Sequence, residues 1–143
     1  MRHATSLLRL ALLAALSAFL VHPALAQQNL VPFGDFESFT AGPLPGGTGY
    51  FTQGDGTDFV VDDAVAHTGS QSLRVDYAGG ATNSYDVQFV ANGIAVTPGE
   101  EYTFSIWART STSGGTANFV VQDASFGSLG VDFYGQALTT DWQ

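Results

Sequence analysis

Large rings beside small polar residues are the groups in this sequence whose chemistry is easiest to interpret. Tyr85 follows a polar loop, and Phe126 lies between a serine and a glycine. Trp107 and Arg109 lie two residues apart in an alternating stretch, so both point to the same face of a predicted strand. Such rings either fold back over a core or stay exposed as flat stacking surfaces. An indole beside a guanidinium suits a flat ligand that carries many hydroxyl groups.

Amide and carboxylate groups near the rings supply the hydrogen bonds that such a ligand needs. Asp86, Gln88 and Gln136 are the candidates. A sugar ring has an apolar face of C–H groups, and stacking it on an exposed ring contributes about 1–3 kcal/mol. Two positions remain open for Trp107: it lines the floor of a cleft, or it packs beneath the cleft while Arg109 pairs with an acidic residue. The residues favour a module that binds carbohydrate.

The position of Tyr85 sets a condition on the strand that follows it. In a regular strand Tyr85 shares its side with Val87 and Phe89, and all three would point to the core. Exposure of Tyr85 therefore requires the strand to begin after it, or to carry a bulge there. Gln88 points to the opposite face of the strand, so its exposure needs neither a bulge nor a later strand start.

Groups for catalysis show no recognisable arrangement. His67 is the single histidine after residue 26 and lies in a predicted turn, so a Ser-His-Asp or Cys-His site lacks support. A glycosidase needs two positioned carboxylates, and no spacing among the 13 acidic residues singles out a pair. We therefore expect a binding module and not an enzyme.

Residues 1–26 are predicted to be a secretory signal peptide. Arg2 and Arg9 precede or enter an apolar run over residues 10–21, and small residues for cleavage follow at 24–26. The run is too short for a stable membrane span, although an uncleaved N-terminal anchor is the alternative. The sequence thus predicts an extracellular protein that leaves the membrane on cleavage and whose mature chain begins near Gln27.

The charge balance of the mature chain limits its partners. All 13 acidic residues follow residue 26, where Arg74 and Arg109 are the only basic ones, so the net charge is −11. A negative field of this size repels phosphate backbones and anionic lipid, which argues against nucleic-acid and membrane partners. It is compatible with neutral ligands and with calcium. Cysteine is absent, so an exported chain folds without disulfides.

Short strands are the elements that must position these residues. Turn and loop signals recur about every 8–12 residues, and no apolar 3.6-residue period follows the signal peptide, which predicts an all-β sandwich. After a turn at Pro98 and Gly99, alternation directs Tyr102, Phe104 and Ile106 to one face. In the same way Leu73, Val75 and Tyr77 are predicted to point inward. The predicted strands are residues 29–38, 50–51, 59–61, 72–77, 85–91, 102–109, 116–123 and 131–138.

Four segments resemble the family 4/9 carbohydrate-binding modules. They are NLVPFGDFES at 29–38, AHTGSQSLRV at 66–75, VTPGEEYTFSIWAR at 96–109 and LTTDWQ at 138–143. The resemblance implies a jelly-roll β-sandwich of the galactose-binding-like type, with a glycan cleft on its concave face. It further implies a polysaccharide partner, such as xylan, β-glucan or amorphous cellulose, and a covalently attached catalytic domain of a secreted xylanase or glucanase. Since Trp142 should begin a strand, we expect the domain at 27–143 to lack its last strand or strands.

Site residues follow from the resemblance position by position. Tyr85 matches an aromatic residue that stacks on a sugar, and Gln88 matches a polar residue that bonds its hydroxyls, although Trp and Glu are more familiar there. Phe126 matches the second stacking ring and would face Tyr85 across the cleft. Tyr134 and Gln136 align only with a one-residue shift.

A structural calcium ion is also implied by the resemblance. Its matching positions are Asp35, Glu37, Thr68 and Gln71, and oxygen ligands in an acidic chain suit this ion. We expect weak binding, because the family's remaining carboxylate belongs to the strand expected to be missing. The alternative is that Glu37 is simply solvated. A different function also stays open: a structural or adhesion β-sandwich of a cell-surface protein that has no glycan site.

Overall fold

A computed structural model describes residues 28–143, so the predicted signal peptide lies outside the described residues. Every regular element in this part of the chain is a β-strand, which confirms the all-β prediction. Residues 28–143 form no helix of the length and apolar character that a membrane span requires. The strands are β1 (Gly42–Pro43), β2 (Tyr50–Gln53), β3 (Thr57–Asp62), β4 (Ser72–Tyr77), β5 (Gln88–Ala91), β6 (Thr116–Gln122) and β7 (Ser128–Ala137).

The strands pair into antiparallel sheets, as expected of a β-sandwich of this class. One sheet has the order β1-β3-β4, a second pairs β2 with β5, and a third pairs β6 with β7. In the first sheet Val61 lies opposite Leu73, and in the second Gln53 lies opposite Gln88. The register of the second sheet matters most for the site, because it brings two glutamines to the same end of the β2–β5 pair.

The best-buried part of the described chain is the end of β3. Val61 is 1% exposed, and Asp62 beside it is 8% exposed. Asp62 Oδ1 lies 3.4 Å from Arg74 Nη1 on β4, and Arg74 Nε lies 3.0 Å from Asp76 Oδ2. The buried carboxylate is therefore paired, as a buried charge must be. The Asp62–Arg74 pair thus joins β3 to β4.

A cluster of aromatic rings packs the N-terminal turns onto the β2–β5 sheet. The Tyr50 and Phe89 rings lie 4.7 Å apart, and Phe36 stacks on Tyr50 at 6.1 Å. The Tyr50 hydroxyl donates to the Pro32 carbonyl oxygen. Partial burial, with a smaller effect of the Asp35 charge, raises the pKa of Tyr50. This packing holds the segment around residue 37 next to the sheet.

The strand predicted for residues 29–38 is wrong, because the segment forms consecutive turns. Asn29 Oδ1 accepts the Val31 amide at 3.0 Å, and the Phe36 amide donates to the Phe33 carbonyl at 2.9 Å. Phe33 and Phe36 both adopt positive φ, at 52° and 62°. Local hydrogen bonds to an asparagine side chain and within turns replace the ladder that the apolar pattern suggested.

The strand predicted for residues 102–109 is also wrong, because residues 101–110 form no regular secondary structure. Only the end of the segment is paired: Ala108 and Gln143 exchange two hydrogen bonds of 3.1 Å, and the Thr110 amide donates to the Thr139 carbonyl at 2.9 Å. Alternation predicts the two faces of a segment but not its partner. Within residues 28–143, the backbone of 102–106 makes no hydrogen bond to other backbone groups.

The inward faces predicted from alternation are only partly found. Leu73 is half-buried, as predicted, but Val75 and Tyr77 on the same face of β4 are 41% and 45% exposed. In residues 101–110, three apolar side chains predicted to point inward are between 42% and 51% exposed: Tyr102, Phe104 and Ile106. Within the described residues the inward prediction is therefore confirmed for Leu73 alone among these side chains, and the others are exposed.

Candidate binding site

The condition that the sequence sets for Tyr85 is met by the structure. Strand β5 begins at Gln88, and Tyr85 lies in the turn before it. The Asp86 amide donates to the Asn83 carbonyl at 3.2 Å and closes this turn. The Tyr85 ring is 58% exposed. It is therefore available as a stacking surface and is not part of the core.

Two glutamine side chains hold the backbone of the Tyr85 turn. The Tyr85 carbonyl oxygen accepts Gln88 Nε2 at 2.6 Å and Gln53 Nε2 at 3.2 Å. One of the two N–H donors of Gln88 Nε2 is thus used inside the protein, and its Oε1 is left to accept from a ligand hydroxyl. Gln53 was missed by the sequence reasoning. Only the pairing of β2 with β5 brings it here, and no local motif signals that register.

Asp86 holds the same turn from its other side. Its Oδ2 accepts the backbone amides of Thr82 at 2.7 Å and Asn83 at 2.9 Å, and both side chains also donate to the carboxylate. The hydrogen bonds from Asn83 and Thr82 lower the pKa of Asp86. Sequence reasoning proposed Asp86 as a ligand contact, and the structure shows its oxygens already accepting hydrogen bonds from the turn.

A cavity of about 350 Å³ opens beside this turn. Its size falls near the lower end of small-molecule sites, which are roughly 300–1,000 Å³. Polar groups dominate its wall, and the Tyr77 hydroxyl accepts the Ala81 amide at its edge. The lining residues are Gln53, Asp55, Tyr77, Gly79, Gly80, Ala81, Asp86 and Val87.

The second predicted ring, Phe126, lies at the tip of the loop between β6 and β7. It is 83% exposed and has a φ of 64°. Asp123 Oδ1 accepts the amides of Ser125 at 2.8 Å and Gly127 at 2.9 Å, which fixes the loop beneath the ring. Tyr85 and Phe126 make no ring contact with each other in the described residues, and separate sheets carry them. Their opposition across a groove stays a prediction.

Tyr134 and Gln136 lie on β7, away from the Tyr85 cavity wall. Tyr134 is 58% exposed. The Tyr134 carbonyl oxygen accepts a hydrogen bond from Gln136 Nε2 at 2.9 Å. Gln136 also borders a second, largely apolar cavity of about 310 Å³. That cavity is lined by Ile106, Ala108, Phe119, Phe133, Gln136, Leu138 and Gln143.

Trp107 packs against the residue that sequence reasoning treated as a plain turn histidine. The His67 and Trp107 rings stack at 4.0 Å with an angle of 13° between them. Trp142 meets His67 edge-on at 5.7 Å, and the Arg109 guanidinium lies 5.9 Å from the centre of the Trp142 ring. Both ion pairs among residues 28–143 are made by Arg74, so the pairing of Arg109 with an acid is not found there.

The residues implied for calcium are partly brought together. Glu37 Oε1 accepts the amides of Ser70 at 2.8 Å and Gln71 at 2.9 Å, and Asp35 Oδ1 accepts the Glu37 amide at 3.3 Å. Thr68 lies in the same bend. Gln71 Oε1 is buried and has no hydrogen-bond partner among residues 28–143. No three His, Cys, Asp or Glu side chains of the described chain gather closely enough to hold a metal by themselves.

Comparison with known proteins shows a family match. A family model described as a carbohydrate binding domain, CBM_4_9, matches residues 28–130, more than two thirds of the chain. No curated protein matches the chain. No solved structure matches it either. The matched range includes both predicted stacking rings and the whole Tyr85 turn.

Proposed function

The chain belongs to the CBM_4_9 family of carbohydrate-binding domains, which are non-catalytic binding modules, and we propose that it binds β-glycan chains by stacking on Tyr85 and Phe126. Xylan, β-glucan and amorphous cellulose are the proposed ligands. The observation that carries the proposal is the exposure of both rings, 58% and 83%, on turns whose backbones are held by side chains. Because the turns that carry the rings are already held, less of the backbone has to be ordered on binding, which lowers the entropic cost of association.

The proposed mechanism divides the work between rings and amides. The C–H face of a pyranose packs on a ring, and each platform contributes about 1–3 kcal/mol. Gln88 Oε1 accepts a sugar hydroxyl, while its Nε2 remains on the Tyr85 carbonyl. Tyr134, Gln136, Trp107 and Arg109 are proposed as outer contacts, because no contact of theirs joins them to the Tyr85 turn. Catalysis is not part of this mechanism.

Affinity electrophoresis in gels that contain xylan, β-glucan or soluble cellulose tests the proposal. Tyr85→Ala and Phe126→Ala should each weaken retardation about 5- to 150-fold, because each removes one platform. Phe104→Ala is the matched control, since it removes a ring that is 42% exposed and lies outside the site. Unchanged retardation for both site variants would remove the stacking model. Absence of retardation in every gel would favour the adhesion alternative.

The proposal extends to the protein that carries this module and to its location. We propose a secreted protein that holds an attached glycoside hydrolase, a xylanase or glucanase, on its polysaccharide. The predicted signal peptide at 1–26 supports an extracellular setting. This proposal is tested by reading the same open reading frame beyond the codon for Gln143. A hydrolase domain is the expected result, and a surface-sorting segment would instead favour a cell-surface protein.

Calcium is proposed at the junction of the N-terminal turns and the bend at 66–70. The buried, unpartnered Gln71 Oε1 and the Glu37 carboxylate offer oxygen ligands, with Asp35 and Thr68 nearby in the chain. Bound calcium should raise the melting temperature, because it binds only the folded state. Glu37→Gln combined with Gln71→Leu should abolish this rise, whereas the control Gln28→Leu keeps it. A rise of equal size in the double variant would contradict this site.

A further inference from the structure

We infer that Gln53, on the strand next to the site, is a positioning residue that sets where the turn places the Tyr85 ring. The inference rests on the proposed function, because it concerns the ring on which a sugar would stack. Gln53 Nε2 donates to the Tyr85 carbonyl oxygen at 3.2 Å across 32 residues of sequence. It thereby ties the turn that carries the ring to the sheet beneath it.

The sheet register is what makes this bond possible. Gln53 lies directly opposite Gln88 at the end of the β2–β5 ladder. Residues opposite each other in an antiparallel pair place their side chains on the same face, about 5 Å apart at Cβ. Both glutamines therefore reach the same acceptor, and the Tyr85 carbonyl receives two donors. A carbonyl oxygen has two lone pairs, so this acceptor is fully used.

The turn has a second anchor on its other side, and together the anchors leave the ring alone exposed. Asp86 holds the backbone amides of Thr82 and Asn83, which precede Tyr85. The backbone of the turn is thus held at residues 82 and 83 before Tyr85, and at the Tyr85 carbonyl by Gln53 and Gln88. Among residues 28–143 no hydrogen bond or aromatic contact holds the ring itself, which is 58% exposed. Backbone position therefore decides where the ring stands.

Direct contact between Gln53 and a ligand is the competing explanation. Gln53 lines the 350 Å³ cavity, so its Oε1 could reach a saccharide that entered there. The two explanations differ in one respect. A positioning residue acts only while the Tyr85 ring is present, whereas a direct contact acts with or without it.

A double-mutant cycle on the purified protein separates them. Gln53→Met keeps the side-chain length and removes the donor, and Gln28→Met is the matched control for an exposed glutamine. Both are made in the wild type, in Tyr85→Ala and in Phe126→Ala. Dissociation constants are measured by affinity electrophoresis in soluble xylan and in mixed-linkage β-glucan. Gln53→Glu, which also lacks the donor, repeats the test if Gln53→Met does not fold.

The expected result is a three- to tenfold loss of affinity in the wild type and in Phe126→Ala, the worth of about one hydrogen bond. In Tyr85→Ala the same change should have no effect. An equal loss in Tyr85→Ala would overturn the inference in favour of direct contact, and no loss in the wild type would overturn it outright. Both results leave the stacking proposal intact. If Tyr85→Ala alone binds as tightly as the wild type, the stacking role of Tyr85 fails and the inference fails with it.

Discussion

At the scale of single residues, the candidate site depends on side chains that act on the backbone. Asp86, Gln88 and Gln53 all direct polar atoms at the turn around Tyr85, and Asp123 does the same beneath Phe126. The rings themselves make few contacts. Each platform is thus a solvent-exposed ring on an ordered turn, which is the arrangement that a stacking contact requires.

Acidification should loosen the Tyr85 turn. The lowered pKa of Asp86 means that its hydrogen bonds stabilise the turn fully above the ordinary aspartate pKa, and that this support is lost as pH falls through the lowered value. Glycan retardation by the wild type should therefore be constant near neutral pH and fall in strong acid. Asp86→Asn should bind more weakly at neutral pH and change little on acidification.

Glycan binding by the wild type and by Asp86→Asn is measured by affinity electrophoresis or calorimetry across a pH series. Phe104→Ala is the control, because it keeps Asp86 and should follow the wild type. A parallel decline of Asp86→Asn and wild type in acid would assign the pH dependence to other carboxylates and would contradict the prediction.

At the scale of elements, β3 organises the first sheet. It lies between β1 and β4, and Val61 pairs with Gly42 on one side and Leu73 on the other. Val61→Ala should lower the free energy of unfolding by about 2 kcal/mol, because it removes two buried methyl groups and leaves a cavity. Val75→Ala on β4 is the matched control, since Val75 is 41% exposed and its truncation should cost under about 0.5 kcal/mol. Urea denaturation measures both, and equal losses would contradict a core at the end of β3.

The strands show what alternation can and cannot predict. Residues 72–77 alternate between turn signals, and β4 occupies that range without a shift. Residues 102–109 alternate just as regularly, yet form no ladder, because pairing depends on a partner that the pattern does not specify. Residues 29–38 carry apolar residues too, but Asn29 and two positive-φ phenylalanines turn the chain. Local polar competition and missing partners account for these errors.

The candidate site was predictable where it depends on local sequence. Tyr85 and Phe126 were identified from rings beside small polar neighbours, and both are exposed. Gln53 was not, since its role arises from the register of β2 against β5. The stacking of His67 on Trp107 was missed for the same reason, because it joins a bend to a segment 40 residues later. Contacts distant in sequence leave no local pattern.

At the scale of the whole molecule, negative charge surrounds the site. Residues 28–143 carry 13 acidic side chains and two arginines, of which Arg74 is engaged by Asp62 and Asp76. The cavity beside Tyr85 has Asp55 and Asp86 in its wall and no basic residue. A ligand that carries carboxylates would therefore meet repulsion from the whole domain and from the site itself.

Glycans with glucuronate branches should therefore bind more weakly than neutral glycans of the same backbone. The matched pair is glucuronoxylan and the same polymer after reduction of its carboxyl groups, each measured by calorimetry at low and at high salt. At about 0.01 M salt the Debye length is roughly 30 Å, and the charged polymer should bind several-fold more weakly; at about 1 M it is roughly 3 Å, and the difference should largely vanish. Affinity for the reduced polymer should hardly depend on salt, since stacking and neutral hydrogen bonds carry it. A difference that persists at high salt would mean that the branches are excluded by shape and not by charge.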